Sequence, residues 1–277
     1  MERAAVPSRP GEGQERFAVR LFRALSPKLK RTPQPEPPEK LAPFERLAVP
    51  RGEGRLSATL FPAAGNPRGA VLLLHPWLPW GQAYFHRRGR IEALRSAGYH
   101  AMTLDLGGFG ASDPLEGFFD RDIEAGLLDL RKRAGGLPLH LWGVSSGGYW
   151  AHPALARTRL VSGAMFEDVS PHLLEWSWRT APLGRPFYLF YRHVLRQAYR
   201  FLDARSQARA MAVRAVTYVS GEKDRGVRPE DTRALAEAAG GYCRVVPGAG
   251  HLAAIKVAQE EVIALALDTF RKAVPKP

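Results

Sequence analysis

From Ala70 onward, short and nearly continuous apolar runs alternate with segments of helical period, and few folds accommodate that rhythm. The runs are AVLLLH (Ala70–His75), HAMTLDL (His100–Leu106), LHLWGV (Leu139–Val144), LVSGAMFED (Leu160–Asp168), AVTYVSG (Ala215–Gly221) and YCRVVPG (Tyr242–Gly248). Runs without polar alternation suit strands covered on both faces, as in a parallel sheet. Between them, Gln82–Ala97, Asp120–Ala134, Gly147–Arg157, Pro229–Ala239 and His251–Lys272 carry apolar residues at helical spacing. Two further strands are expected as a hairpin around Gly52–Gly54, in the stretch that begins at Phe44. The predicted architecture is a doubly wound, mostly parallel, eight-stranded α/β sheet.

One interval breaks the rhythm. About 45 residues separate the strand ending near Asp168 from the one starting near Arg214, too many for a simple crossover. They are read as a helical cap insertion, about residues 169–211. Its main helix is expected to start at Pro186, with Phe187, Phe190, Tyr191, Val194, Leu195, Ala198 and Leu202 as one apolar stripe and Arg192, Arg196 and Arg200 beside it. Upstream, residues 1–31 form a basic amphipathic segment, with Phe17, Leu21, Phe22, Leu25 and Leu29 on one helical face and an interruption at Pro27. Residues 32–43, including the Pro-rich TPQPEPPEK, read as an extended linker to a domain spanning 44–277.

The chain carries a formal net charge of +13. Nucleic-acid binding is not expected, because 32 of the 40 basic residues are arginines spread through the chain and no recognition motif accompanies them. Seven arginines against one aspartate between Trp176 and Ala210 make the cap basic. Together with residues 15–31 it offers a peripheral contact for an anionic membrane surface; the plainer readings are a solvated charged face for the cap, and for the segment a helix packed on its own domain or a loosely ordered tail. A single cysteine, Cys243, excludes an intramolecular disulfide. No stretch approaches the roughly 20 apolar residues of a spanning helix, and no secretory leader is apparent, so a cytoplasmic protein is expected.

Chemistry concentrates at strand ends. Gly143-Val144-Ser145-Ser146-Gly147 matches G-x-S-x-G between a strand and a helix, a turn so tight that the flanking positions need glycine, and Ser145 is the candidate nucleophile. A serine hydroxyl needs a base, and the base an orienting acid. Asp224 follows one downstream strand and His251 the next, in the order Ser, Asp, His. Oxyanion donors are expected from the backbone N–H groups of Ser146 and Trp77, with Leu78 one residue further on as the alternative; Pro76 has no N–H to offer. His75 reads as a loop residue bonded to backbone, and Glu167 and Asp168 as cap anchors or an alternative acid. No grouping has convincing metal-ligand spacing, and neither metal nor cofactor is expected. Trp77, Trp80, Trp176, Trp178, Phe187 and Tyr188 are expected to meet above Ser145 as pocket walls.

From Phe44 to Ala273 the chain resembles the α/β-hydrolase superfamily. The residues that carry the resemblance are His75-Pro76-Trp77, DLGGFGAS (Asp105–Ser112), the Ser145 pentapeptide, Asp224 and His251. Pro76 departs from the glycine of many relatives. The resemblance implies a carboxylesterase- or lipase-like enzyme acting on a small-molecule acyl substrate, since relatives that open epoxides or displace halide use a carboxylate nucleophile. An acyltransferase with the same residues, and a non-catalytic membrane-surface or binding protein of the same fold, are the alternatives.

Overall fold

The computed structural model describes residues 5–24, 35–180 and 184–274. Leu25, Pro27 and Leu29 of the amphipathic segment, and the start of the Pro-rich stretch, lie outside the described residues.

Helix α1 (Glu12–Ala24) precedes a hairpin of β1 (Glu45–Arg51) and β2 (Gly54–Phe61). The alternation then begins: β3 (Gly69–Leu74), α2 (Arg90–Ser96), β4 (Tyr99–Leu104), α3 (Asp120–Arg133), β5 (Leu139–Val144), α4 (Ser146–Arg157) and β6 (Val161–Glu167). Four helices form the insertion, α5 (Leu173–Thr180), α6 (Gly184–His193), α7 (Arg196–Phe201) and α8 (Ala204–Ala210). The chain closes with β7 (Ala215–Gly221), α9 (Pro229–Ala239), β8 (Tyr242–Val246), α10 (Ala254–Val257) and α11 (Gln259–Lys272).

The eight strands order as β1-β2-β4-β3-β5-β6-β7-β8. Only the pairs involving β2 are antiparallel. Because successive side chains leave a strand on opposite faces, β3 sends Leu72 and Leu74 into one core with α3 and α4, and Val71 and Leu73 into the other with α2 and α11. All four are fully buried. That two-sided demand is what wrote the continuous apolar runs into the sequence.

Three expected elements differ. The cap stripe is not one helix from Pro186: α6 starts at Gly184, and the chain breaks at Val194 and Leu195 before α7. The stripe keeps helical phase across the break, so periodicity could not reveal it. The turn lets Phe201 stack on Phe118 at 5.3 Å while Val194 is left outside, 59% exposed. Gln82–Ala97 is a 3-10 turn (Gly81–His86) and then α2, separated by left-handed Arg88 and Gly89. His251–Lys272 is also split, between α10 and α11 at Ala258, whose φ of −134° and ψ of 55° are not helical.

Helix α1 of the N-terminal segment packs on the rest of the chain. In α1, Ala18 and Val19 are buried, Glu15 accepts from Arg121 at 2.9 Å, and the Tyr191 hydroxyl donates to Ala18 O at 3.2 Å. The expected linker is also partly built in, with Leu41 fully buried and its carbonyl accepting from Arg95 at 2.7 Å. Among the described residues no helix is long and apolar enough to cross a membrane.

Candidate active site

The turn from β5 into α4 holds Ser145 at φ 48° and ψ −117°, a conformation an L-residue adopts only under constraint. The constraints are identifiable. Ser145 N–H donates to Glu167 O at 2.7 Å. A Cβ at Gly147 would lie 2.5 Å from the carbonyl oxygens of both Leu74 and His75, and one at Gly143 would lie 2.5 Å from the Gly148 Cα. Only glycine lets the start of α4 lie this close to the ends of β3 and β5, and that closeness lifts the Ser145 side chain clear of the sheet.

Two other strand ends meet it there. The Ser145 hydroxyl lies 3.1 Å from His251 Nε2, and His251 Nδ1–H donates to Asp224 Oδ2 at 2.6 Å. Asp224 is 4% exposed, and its other oxygen accepts from the N–H groups of Gly226 (2.8 Å) and Val227 (2.9 Å). Those bonds fix the carboxylate, which fixes the ring tautomer with Nε2 free to accept. Burial disfavours the His251 cation, but the bond and charge of Asp224, joined by the charge of Asp168, outweigh it and hold the imidazole pKa above 6.5. The ion pair therefore adds stability below pH 6.5 that is lost as pH rises through the folded-state value.

Asp168 and Glu167 are neither cap anchors nor the acid bonded to His251. Glu167 meets Arg90 in a fork of bonds at 2.8 to 3.0 Å, and Trp142 Nε1–H donates to it at 2.6 Å. Asp168, left-handed at φ 51°, accepts from Gly221 N–H at 3.2 Å and Leu252 N–H at 2.8 Å, tying β6 to β7 and to the loop of His251. Burial pushes its carboxyl up to about 7; His251 opposes this, and the charges of Asp224 and Glu167 add to it. Asp168, Asp224 and His251 bring ligand atoms within 4.8 Å of one another. Each carboxylate oxygen of the cluster already accepts at least one of the bonds just described.

For a reaction that uses His251 as its base, the ring must be neutral to accept a proton, and kcat/KM of the wild type is expected to rise with pH through the raised His251 pKa. Asp168→Asn removes the partial negative charge that a carboxyl titrating at about 7 carries beside the ring, and the acid limb of that profile is expected to move to lower pH. A limb that stays put or moves up would sink this assignment.

Ser146 begins α4, and its N–H together with that of Trp77 has no protein acceptor among the described residues. Leu78 N–H, by contrast, is taken by Pro76 O at 2.7 Å, so the alternative donor is occupied. His75, 1% exposed, lies beside Pro76 O at 2.8 Å through Nδ1 and accepts from Leu106 N–H at 3.2 Å through Nε2. It braces the loop after β3 against the loop after β4.

Above Ser145 lies a cavity of about 350 Å³ under the cap. Of the expected wall residues, Trp77, Trp176 and Phe187 line it. Trp178 and Tyr188 do not: they meet each other edge-on at 5.0 Å on the outer side of the cap, with Arg185 over Trp178 and Arg192 over Tyr188. Their outward rings are covered by cation–π contacts with the arginines at neighbouring turns. Trp80, 58% exposed, faces a different cleft. Sequence reasoning missed several walls, among them Phe22, Phe118, Tyr149, Trp150 and Tyr191. Phe22 comes from α1 and packs on Trp77 at 5.1 Å; its apolar stripe was legible, but its destination was not. The cap is held by the Tyr149 hydroxyl donating to Leu202 O, by His172 and Tyr199 O at 3.1 Å, and by Arg179 on Asp231 at 2.5 Å.

No protein-family model matches the sequence, and no curated protein matches it. Solved structures do. An esterase of Pyrococcus furiosus superposes with a TM-score of 0.71 at 17% identity, covering 87% of this chain and 97% of its own. A thermostable carboxyl esterase of Bacillus coagulans gives 0.64 at 16% identity, covering 83% of this chain and 99% of its own. A proline iminopeptidase-related protein of Thermus thermophilus gives 0.61 at 23% identity, covering 84% of this chain and 100% of its own.

Proposed function

Starting from the α/β-hydrolase fold that this chain adopts, we propose that the protein is a serine hydrolase cleaving a carboxylic ester, or a related acyl bond, through an acyl-enzyme on Ser145. The observation that carries the reading is the continuous relay from Ser145 through His251 to Asp224, at 3.1 and 2.6 Å, opening on an apolar cavity. The esterases among similar folds support it.

Ser145 Oγ attacks the acyl carbonyl as its proton passes to His251 Nε2. Negative charge grows on the carbonyl oxygen and is met by the N–H groups of Ser146 and Trp77, at the positive end of α4. Asp224 balances the imidazolium. The intermediate then collapses: the ester C–O bond breaks, and His251 gives its proton to the leaving oxygen. Water enters, loses a proton to His251 and attacks the acyl-enzyme, and the returning proton restores the Ser145 hydroxyl. The apolar walls suit an apolar acyl group, whose burial favours binding by about 25 cal/mol per Å².

Reaction with a fluorophosphonate probe tests the activated serine. Intact mass is expected to show one adduct on the wild type and none on Ser145→Ala; a wild type left unlabelled under conditions that label a control hydrolase would overturn the reading.

A further inference from the structure

A second hollow of about 550 Å³ shares two walls with the catalytic cavity. Leu78 and Leu252 line both. These leucines directly follow Trp77 and His251, so the hollow adjoins the edge of the site where the protonating imidazole stands. Its lining is more polar than that of the acyl cavity. Arg87, Arg88 and Lys256 line it, all exposed, and none has an anionic or hydrogen-bonding partner among the described residues. The carboxylate there, Glu36, is engaged by Arg46 at 2.6 Å. Trp80 offers a largely open ring.

Three exposed cations without a protein counter-charge among the described residues, beside an open indole, make this wall suited to an anion.

Acyl transfer to a serine places the two halves of the substrate on opposite sides of the carbonyl, and the leaving half must lie against the group that protonates it. We propose, resting on the serine-hydrolase reading, that this cleft binds the leaving alcohol or thiol, and that this leaving group carries an anionic substituent, a phosphate or a carboxylate. Arg87 and Arg88 supply planar forks suited to either oxyanion. Lys256 supplies a point charge and Trp80 a flat face. The C–O or C–S bond of the substrate breaks as His251 passes its proton to the leaving atom, and the anionic fragment departs from the cleft.

The test uses three butanoate esters with one acyl group: of glycerol, of glycerol 3-phosphate and of glycolate. In the wild type at low ionic strength, kcat/KM for an anionic ester is expected to exceed that for the glycerol ester by about tenfold. The glycerol 3-phosphate and glycolate arms distinguish phosphate from carboxylate. The anionic-over-neutral ratio is expected to fall to near one in R87A/R88A/K256A. Equal kcat/KM for all three esters in the wild type overturns this inference and leaves the hydrolase reading standing, since all are cleaved. If no ester is cleaved and no fluorophosphonate adduct forms, the underlying reading has failed. Calorimetric titration with glycerol 3-phosphate and with glycolate then decides: saturable binding lost in R87A/R88A/K256A keeps the anion site, and no binding of either removes it.

Discussion

Ser145→Ala is expected to lower kcat/KM for p-nitrophenyl butanoate by roughly 10⁴- to 10⁶-fold, the range seen when the nucleophile of a triad is removed. In the proposed mechanism the hydroxyl bonds to the acyl carbon, and the adjacent Ser146 supplies only its N–H to the oxyanion. The fold should not respond. Ser145 N–H keeps its bond to Glu167 O, and the lost side-chain bond is the single one to His251. His251→Ala should be nearly as damaging, and the double variant little worse than either, because the relay acts as a unit. Activity of Ser145→Ala within about tenfold of the wild type would exclude this serine as the nucleophile.

The second large effect concerns stability. Arg90→Met is expected to destabilise the protein by about 3 to 5 kcal/mol, because it strands a buried carboxylate. Arg90 and Glu167 are 0% and 1% exposed, and their fork lies between β6 and the start of α2. Glu167 would keep the Trp142 bond at 2.6 Å but lose its counter-charge. At a few degrees per kcal/mol, Tm should fall by roughly 10 °C. The double variant Arg90→Met/Glu167→Met should recover most of the loss, since neutral packing of similar volume often replaces a buried pair without cost. A single variant as stable as the wild type would mean that Glu167 takes up a proton, or that water reaches it. The pair also bears on the site. The backbone carbonyl of Glu167 is the acceptor that holds Ser145 N–H at 2.7 Å, so movement of this strand end reaches the nucleophile turn directly.

Strand ends were the most legible part of the chain because three constraints coincide there. A strand covered on both faces must be apolar, a strand-to-helix turn this tight must be glycine-rich, and an acid and a histidine that serve one serine must follow neighbouring strands. Ser145, Asp224 and His251 satisfy all three in local sequence. The walls of the cavity satisfy none. Trp77, Trp80, Trp176 and Trp178 look alike in sequence, yet two line the cavity, one faces the cationic cleft and one packs outward beneath Arg185.

Local sequence dictates the layered α/β architecture, the strained serine turn and the residues whose meeting could activate it, because each is enforced by neighbours within a few positions along the chain. The tertiary structure alone decided where α1 packs, where the cap helix breaks, which aromatics enclose the cavity, and that Asp168 stands beside His251 as a tie between strand ends. Those outcomes depend on how distant segments share space. A helix of given periodicity can bury its apolar stripe against any complementary surface, and only packing in three dimensions selects one.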